Sequence, residues 1–421
     1  MDKFRIDLQE LLLCISNAQE LVSNTLTNHQ QKVAYLSYRL AEQLCLAPSE
    51  RENIFHAALV HDVGALSVDE RLAIIETEPM TIYNHGYIGA NLLEEFKPMK
   101  EAANIIRYHH LPWRNGEGIV YMGNAVPFGS HIIHLADRTC ARIKTTQNIL
   151  SQLPEILGYI NYNKGTVFAP PIVEALNQLS RKEYIWLDLI SRDSIRKLPE
   201  GIFNILVLDI DDVIDLSYVF SHIIDFRSKF TARHSAGVAK TSQRLAEMIG
   251  FSPLECKMML IAGYLHDLGK LAISNDVLEK PAKLNEDEFN EIRSHTYYTY
   301  QLLDTIPQFE TIKTWAAFHH ERLNGSGYPF HIKGDSLTLG SRIMAVADIF
   351  TAITESRPYR KGMDDQHAIH ALKDMVASEA IDGNIVKVLI DHFQEINDIR
   401  ESAQQQASNR YESFLHTEAV L

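Results

Sequence analysis

The chain has 421 residues, of which 46% are hydrophobic and 22% charged, a composition typical of a folded globular protein with two or three domains. Its formal net charge of -14 argues against binding of long nucleic acid, which needs a basic face. No apolar run approaches the ~18 residues needed to span a bilayer, and the N-terminus lacks the pattern of a secretion signal. We therefore expect a cytoplasmic protein that does not insert into a membrane.

The four cysteines lie far apart in the sequence. They are Cys14, Cys45, Cys140 and Cys256, and no two of them form a CxxC pair. This spacing predicts buried, reduced thiols without a chemical role, and it argues against disulfides and zinc knuckles.

Apolar residues in the first half of the chain follow a helical period. Val33, Leu36 and Leu40 recur on one helix face, and the 20 glycines are fewer than is usual at this length, which also favours helices. The same half contains AALVHDVGAL from position 57, HHLPWRNGEG from 109, HLADRTCARI from 134 and FAPPIVEAL from 168. A connector at 193–215 includes a short apolar run that suits either a strand or a helix.

The second half repeats this order of motifs. It contains AGYLHDLGKL from position 262, HHERLNGSGYP from 319, AVADIFTAIT from 345 and IDGNIVKVL from 381. Ile261, Leu265 and Leu268 show helical spacing, and Gly269 closes the pattern where a left-handed helix cap is expected. The polar segment ESAQQQASNRYESF near the C-terminus predicts a frayed helix or a tail.

These patterns predict an all-α protein made of two tandem helical bundles. We place the first at 1–192 and the second at 216–421, on either side of the connector.

Seven histidine and aspartate positions occur once in each half, in the same order. In the first half they are His29, His61, Asp62, His85, His109, His110 and Asp137. Their counterparts are His234, His266, Asp267, His295, His319, His320 and Asp348, at offsets of 205, 205, 205, 210, 210, 210 and 211. A single histidine of this kind is usually an ordinary core or surface residue, but seven in register, twice, favour a duplicated site.

Imidazole and carboxylate groups brought together by several helices suit a site for two divalent transition metal ions, with an aspartate able to bridge them. Two such ions can activate a water and clamp a phosphate for in-line attack. Hydrolysis of a phosphodiester or phosphomonoester is therefore the expected chemistry. The alternative is that duplication copied the site and one copy later lost its purpose, an interpretation that suits the first half better than the second.

The second half resembles the HD-GYP phosphodiesterases, a branch of the HD superfamily of metal-dependent phosphohydrolases that opens cyclic dinucleotides. The residues that carry the resemblance are IIDFRSKFTARHS from position 223, LHDLGK from 265, HHERLNGSGYP from 319 and SRIMAVADIFTAITESRPYR from 341. The resemblance implies an HD-type helical bundle in which the seven positions of the second half are metal ligands. It also implies that Asp267 bridges the ions and that Lys270 stabilises the charge growing on the phosphate.

The loop NGSGYP is expected to contact the substrate. Gly325 and Gly327 are predicted there for a positive φ or a close approach to the ligand, while Tyr328 packs the loop down and Pro329 fixes its exit. Arg322, Arg357 and Arg360 are candidate contacts to phosphate or guanine, although solvated surface arginines explain them equally well.

The resemblance also indicates the number and the possible identity of the metal ions. Some family members hold a third ion through a glutamate four residues before the first histidine, but this chain has Phe230 there, so we expect two. Iron, manganese, nickel and zinc all suit such ligands.

The first half resembles a plainer HD domain. It keeps all seven positions and is expected to bind metal, but Ala65 replaces the lysine and WRNGEG replaces the GSGYP loop. One hypothesis is that it removes the 5'-phosphate from the linear dinucleotide that the second half releases. A role in dimerisation or sensing is the alternative, which leaves a homodimer open.

The leading functional prediction is hydrolysis of one bond of cyclic di-GMP or 3',3'-cyclic GMP-AMP to a 5'-phosphorylated linear dinucleotide. No motif separates the two substrates. A sensor that binds the ring without cutting it is one alternative, and a mononucleotide phosphohydrolase is another, which the GSGYP loop disfavours.

Overall fold

The computed structural model describes residues 4–21, 28–66, 82–199, 206–226, 233–280, 282–356 and 361–418. Within these ranges the fold is all-α, as predicted, with strands confined to two short antiparallel pairs. The chain forms two compact units, described here as the N-terminal unit (Ile15–Leu206) and the C-terminal unit (Met1–Cys14 with Val207–Val420).

The C-terminal unit includes the first residues of the chain. Strand β1 (Ile6–Asp7) pairs with Val207–Leu208 of the connector, and the Cys14 thiol donates to the carbonyl of Leu302 at 3.5 Å. The apolar run of the connector thus includes a strand. The domain division predicted at 192 and 216 stays a proposal about which segments fold independently.

Nine helices described up to residue 189 have the following bounds: α1 (Leu8–Glu20), α2 (His29–Gln43), α3 (Pro48–Leu59), α4 (Ile82–Leu93), α5 (Lys100–Arg107), α6 (Phe128–Ala141), α7 (Ile149–Tyr162), α8 (Pro170–Leu179) and α9 (Glu183–Leu189). The hairpin of β2 (Val120–Tyr121) and β3 (Asn124–Ala125) precedes α6. Helix α2 packs against α3, α6 and α8, and it buries Val33, Leu36 and Leu40 completely, which confirms the helical spacing read from these residues.

The C-terminal unit follows β4 (Val207–Leu208) with these described helices: α10 (Ile210–Asp225), α11 (His234–Ile249), α12 (Pro253–Leu265), α13 (Asn275–Leu278), α14 (Glu286–Leu303), α15 (Glu310–Ala317), α16 (Leu339–Thr354), α17 (Asp365–Ala377), α18 (Gly383–Asp391) and α19 (Phe393–Glu418). Helix α11 packs against α12, α16 and α19, so it lies at the centre of the unit. It ends at Gly250, whose φ of 99° forms a left-handed cap.

Gly269 does not form the left-handed cap that the sequence predicts. Helix α12 ends at Leu265, and Gly269 lies in a following 3-10 turn, outside the set of positive-φ glycines. A Cβ at this position would lie 1.9 Å from the carbonyl oxygen of His295, so glycine is required because α14 passes against the turn. Gly64 has the same environment in the N-terminal unit, where a Cβ would lie 2.1 Å from the carbonyl oxygen of His85.

Two smaller expectations are corrected. All four cysteines are free, but only Cys14, Cys140 and Cys256 are buried, because Cys45 lies in the exposed turn after α2. The polar C-terminal segment is a continuous part of α19, and Gln404 and Ala407 are buried within it, so it is not frayed at these residues. Among the described helices, none has both the length and the hydropathy needed to cross a bilayer.

Candidate metal centres

The C-terminal unit brings its seven predicted positions together. His234 is the first residue of α11, His266 and Asp267 follow α12, and His295 lies within α14. His319 and His320 follow α15, and Asp348 lies within α16. The short connections after α12 and α15 thus place adjacent pairs of side chains at one point of the bundle.

Two groups of these side chains that share no residue have potential ligand atoms within 4.8 Å of one another, and a third group, His266, Asp267 and His319, overlaps both. One group is His234, His266 and Asp348, and the other is His295, His319 and His320. Asp267 faces both groups, since its Oδ2 lies 3.3 Å from Nε2 of His266 and its Oδ1 lies 3.3 Å from Nε2 of His295. This is the arrangement that a bridging carboxylate between two cations requires.

Hydrogen bonds to the backbone fix the orientation of three of these imidazoles. The Nδ1 atoms of His266, His295 and His319 each lie 2.6–2.8 Å from the carbonyl oxygen three residues earlier. A proton on Nδ1 leaves the lone pair on Nε2, and in all three residues Nε2 points towards Asp267. The backbone therefore presents Nε2 as the metal-binding atom.

The buried polar atoms at the centre of this site fit a metal ion. Nε2 of His266 and Oδ1 of Asp267 are inaccessible to solvent and have no hydrogen-bond partner within the described residues. An unsatisfied buried carboxylate oxygen costs free energy unless a cation or a donor pairs with it. A divalent transition ion satisfies both atoms at once, because imidazole and carboxylate are ligands that such ions share.

The charges in the site favour a cation as well. Burial alone would raise the pKa of Asp267, but His266 and Lys270 hold it well below its usual value. Burial lowers the pKa of His320 to about 3 and that of His295 to about 4, which keeps both imidazoles neutral. Neutral imidazoles beside ionised carboxylates are the protonation states that metal binding needs.

The N-terminal unit repeats this geometry closely. Its groups are His29, His61 and Asp137, and Asp62, His85, His109 and His110. The aspartate of the HD pair again faces both groups, since Asp62 Oδ2 lies 3.4 Å from His61 Nε2 and Oδ1 lies 3.3 Å from His85 Nε2. Nε2 of His61 and Oδ1 of Asp62 likewise lack a hydrogen-bond partner among the described residues, so this site passes the same test for a metal ion.

The two sites differ in where they place a cationic side chain. In the C-terminal unit, the Lys270 ammonium lies 2.5 Å from Oδ2 of Asp267. The N-terminal unit has Ala65 there, but Arg138 donates to Oδ2 of Asp137 through two nitrogens, at 3.0 and 2.7 Å. The sequence analysis did not identify Arg138. A comparison of the two halves could have indicated it, because an arginine directly follows the predicted ligand Asp137, whereas Ile349 follows Asp348.

The two sites also differ in access. The side chain of His320 is 25% exposed, whereas its counterpart His110 is buried. The His110 ring faces His134, which packs in turn against the buried Phe168. The C-terminal site is thus more accessible at His320 than the N-terminal site is at His110.

The segment 324–329, which we call the GYP loop, lies over His320. The Tyr328 ring packs 5.0 Å from the His320 ring, as expected, and the Tyr328–Pro329 peptide is cis. Gly325 has the predicted positive φ, at 78°, whereas a Cβ on Gly327 would lie 2.4 Å from the Glu321 Cα, so the close approach at Gly327 is to the protein's own backbone. In the N-terminal unit, Trp113 instead donates from its backbone to the carbonyl of Val167 at 2.9 Å.

Sequence reasoning missed the glutamate that holds the exit of the GYP loop. Glu321 is 1% exposed, and its two oxygens accept from the backbone N–H groups of Phe330 at 2.7 Å and Ile332 at 3.1 Å. The position of Glu321 directly after the histidine pair is the feature of the sequence that could have identified it.

A further pair of acids supports the first histidine in each unit. Asp225 accepts from the Ser235 N–H at 3.0 Å, and Glu20 accepts from the Gln30 N–H at 2.6 Å. Both contacts fix the first turn of the helix that begins with a predicted ligand, α11 or α2. Burial raises the pKa of Asp225 to about 7 and that of Glu20 to about 8. The two acids are 205 residues apart, so extending the repeat alignment would have found them.

Some predicted positions are not described. Phe230, Arg357 and Arg360 lie outside the described residues. Arg322 is described, and it is half-buried near the site, where its positive charge contributes to the lowered pKa of His320.

Comparisons with known proteins agree with this fold. Residues 26–142 and 218–385 each match an HD domain. The chain is 29% identical to the Vibrio cholerae 3'3'-cGAMP-specific phosphodiesterase 1 over 93% of both chains. It is also 39% identical to the cyclic di-GMP phosphodiesterase response regulator RpfG of Xanthomonas campestris, over 33% of this chain and 37% of that protein.

A solved structure supports the fold of the whole chain. The crystal structure of the V. cholerae cyclic GMP-AMP-specific phosphodiesterase V-cGAP3 is similar, with a TM-score of 0.61 and 24% identity over 96% of this chain and 98% of that one. The fold and the paired clusters define a protein of two helical bundles, each built around a candidate metal centre. The chain belongs to the HD domain family, with one HD domain in each unit and the HD-GYP branch represented in the second.

Proposed function

We propose that the protein is a metal-dependent phosphodiesterase that hydrolyses one bond of a cyclic dinucleotide, and that the C-terminal unit carries the reaction. The observation that supports this most directly is the pair of ligand groups that share Asp267, beside Lys270 and under the GYP loop. The product is a linear dinucleotide with a 5'-phosphate.

Each described side chain has a distinct role in this proposal. His234, His266 and Asp348 would hold one ion, His295, His319 and His320 would hold the other, and Asp267, which faces both groups, would be a ligand shared between them. When bound, two such ions supply an activated water and draw negative charge from the phosphate. Iron, manganese, nickel and zinc remain candidates.

Lys270 supplies positive charge that belongs to the protein itself. Its side chain is 21% exposed, so the ammonium can reach a phosphate in the site while it stays close to Asp267. Charge placed where the transition state becomes more negative stabilises that state more than the substrate.

The GYP loop and two arginines form the surface around His320. The Arg293 guanidinium lies 5.1 Å from the centre of the Tyr328 ring, so this ring packs against both a cation and the His320 imidazole. Arg322 is a second half-buried arginine near the site. We propose that these groups contact the bases and the second phosphate of the ring, because aromatic and guanidinium faces stack on bases and arginine pairs with phosphate.

Among cyclic dinucleotides we favour 3',3'-cyclic GMP-AMP. The relative that matches over 93% of both chains is named for that substrate, whereas RpfG, named for cyclic di-GMP, matches over a third of this chain. The cytoplasmic location and the homodimer stay predictions.

The proposal is tested by incubating the full chain with Mn²⁺ or Fe²⁺ and, separately, 3',3'-cyclic GMP-AMP, cyclic di-GMP, cyclic di-AMP and a set of mononucleotides, then separating the products. We expect opening of a cyclic dinucleotide to its 5'-phosphorylated linear form, fastest for the mixed ring. Persistence of every ring with every metal would favour the sensor. Release of phosphate from mononucleotides alone would favour the mononucleotide phosphohydrolase.

We propose a second reaction for the N-terminal unit, removal of the 5'-phosphate from the linear dinucleotide. Its complete ligand set supports a working metal centre, in which Arg138 fixes Asp137 by donating from two nitrogens to Oδ2. Its His110 is buried, which argues against the bulky ring as its substrate.

The test is Asp62→Ala, supplied with the linear 5'-phosphorylated dinucleotide. We expect release of inorganic phosphate to fall about a hundredfold or more, because both ligand groups lose their shared carboxylate. Asp267→Ala is the matched control, since it changes the same position of the other unit, and it should release phosphate at the wild-type rate. Undiminished release by Asp62→Ala would refute this role and favour dimerisation or sensing.

A further inference from the structure

The His234 imidazole is held differently from those of His266, His295 and His319. His266, His295 and His319 direct Nδ1 to a carbonyl in the preceding turn of the backbone. His234 begins α11, so no earlier turn of that helix offers it a carbonyl. Its Nδ1 instead lies 3.2 Å from Oε2 of Glu355, while its Nε2 lies 3.2 Å from Oδ1 of Asp348.

Glu355 is itself fixed by the C-terminal helix. It is 2% exposed, and its Oε2 accepts a hydrogen bond from Nε2 of Gln404 at 3.0 Å. The side-chain oxygen Oε1 of Gln404 accepts in turn a hydrogen bond from the guanidinium of the buried Arg400. Helices α19 and α11 approach closely here, since a Cβ on Gly237 would lie 2.9 Å from Nε2 of Gln404. A buried chain of hydrogen bonds thus runs from Arg400 to the His234 ring.

The N-terminal unit has no acid at the matching position. Glu355 corresponds to Lys144 at the offset of 211 that relates Asp348 to Asp137, and Lys144 is exposed. Its ammonium lies 3.5 Å from Glu155, on the surface of the unit. The acid is therefore a feature of the C-terminal unit that the duplication does not explain.

We propose that Glu355 is a positioning residue that fixes the His234 ring with Nε2 towards the metal site, and that Gln404 and Arg400 hold this acid in place. The inference rests on the proposed function, because it assigns a partner to one of the proposed metal ligands. A carboxylate that accepts from the second nitrogen of a ligand histidine fixes the ring orientation and strengthens the histidine as a donor. The inference predicts that the affinity for one ion of the C-terminal unit depends on the contact between Glu355 and α19, and that the affinity for the other does not.

The test measures metal binding rather than activity. The full chain, its Glu355→Gln variant and its Gln404→Leu variant are equilibrated with Mn²⁺ at a series of buffered free concentrations, and bound metal per chain is measured. We expect Glu355→Gln to weaken binding of about one ion per chain by roughly 10- to 100-fold and to leave the other ions unchanged. Gln404→Leu should weaken the same ion by about 3- to 10-fold, since it removes one hydrogen bond to the acid.

The matched control is Glu395→Gln, the same substitution at an exposed acid that pairs with Arg244 at 2.6 Å. It lies on α19 and contacts α11, but its metal binding should equal that of the wild type. Thermal unfolding in EDTA, compared among the variants, separates loss of metal affinity from loss of the fold.

Three outcomes decide between the inference and the proposed function. Wild-type metal affinity in both Glu355→Gln and Gln404→Leu overturns the inference and leaves the proposed function standing. Equal weakening of every ion also overturns it, because the acid would then support the whole unit. A wild-type chain that binds no ion under any condition overturns the proposed function itself. If Glu355→Gln does not fold, Gln404→Leu carries the same test.

Discussion

Replacing Asp267 with alanine is expected to reduce opening of the cyclic dinucleotide by about a thousandfold or more. This carboxylate faces both ligand groups, with one oxygen 3.3 Å from His266 and the other 3.3 Å from His295. In the proposed mechanism its removal would take a ligand from each of two ions, which together would supply the nucleophile and neutralise the phosphate. The measurements are the rate of ring opening, followed by separation of products, and the metal content of the same preparation.

The duplicated chain provides the control for this experiment. Asp62→Ala makes the same change at the equivalent position of the N-terminal unit and should keep ring opening within about twofold of the wild type. Ring opening that survives in Asp267→Ala would contradict the assignment of the reaction to the C-terminal unit. Loss of ring opening in both variants would show that the two centres depend on each other.

The residues that the structure brings into the two clusters could be named from the sequence because the repeat supplied an internal comparison. Adjacent pairs such as His266 with Asp267 and His319 with His320 also have a simple geometry, since each pair follows the end of a helix. The all-α fold could also be predicted, because Val33, Leu36 and Leu40 of α2 recur with a helical period, and all three are buried.

Contacts between distant helices could not be predicted in this way. Glu355 and Gln404 are separated by 49 residues, and their contact depends on how closely α19 approaches α11. No periodic pattern marks such a pair, and Lys144 offers no matching acid in the other half.

Gly269 is a second example of a contact between distant segments that the sequence could not predict. The sequence places a glycine where a helix ends, which most often indicates a positive φ. The structure explains this glycine by the His295 carbonyl, 1.9 Å from the position of a Cβ. The partner helix that creates this constraint begins at Glu286, so local reasoning about α12 had no access to it.

Replacing Lys270 with alanine is expected to lower kcat by about 100- to 1,000-fold, with KM changed by no more than a few-fold. The ammonium lies against Asp267, where the phosphate charge grows in the transition state, and the loss of one such stabilising group costs about 3–4 kcal/mol of activation free energy. The change also gives the C-terminal unit the residue that the N-terminal unit has at Ala65. Steady-state kinetics with the preferred cyclic dinucleotide, on preparations matched for metal content, provide the measurement.

Two further variants determine whether the charge itself is responsible. Lys270→Arg keeps a cation but replaces a compact ammonium with a planar fork, so it should recover part of the lost rate. Lys257→Ala removes a lysine that pairs with Asp211 at 2.6 Å on the surface and should leave kcat unchanged. If kcat falls only as far as metal content falls, Lys270 acts by holding Asp267 in place. A fall in kcat at full metal content instead identifies the ammonium as a group that acts on the substrate.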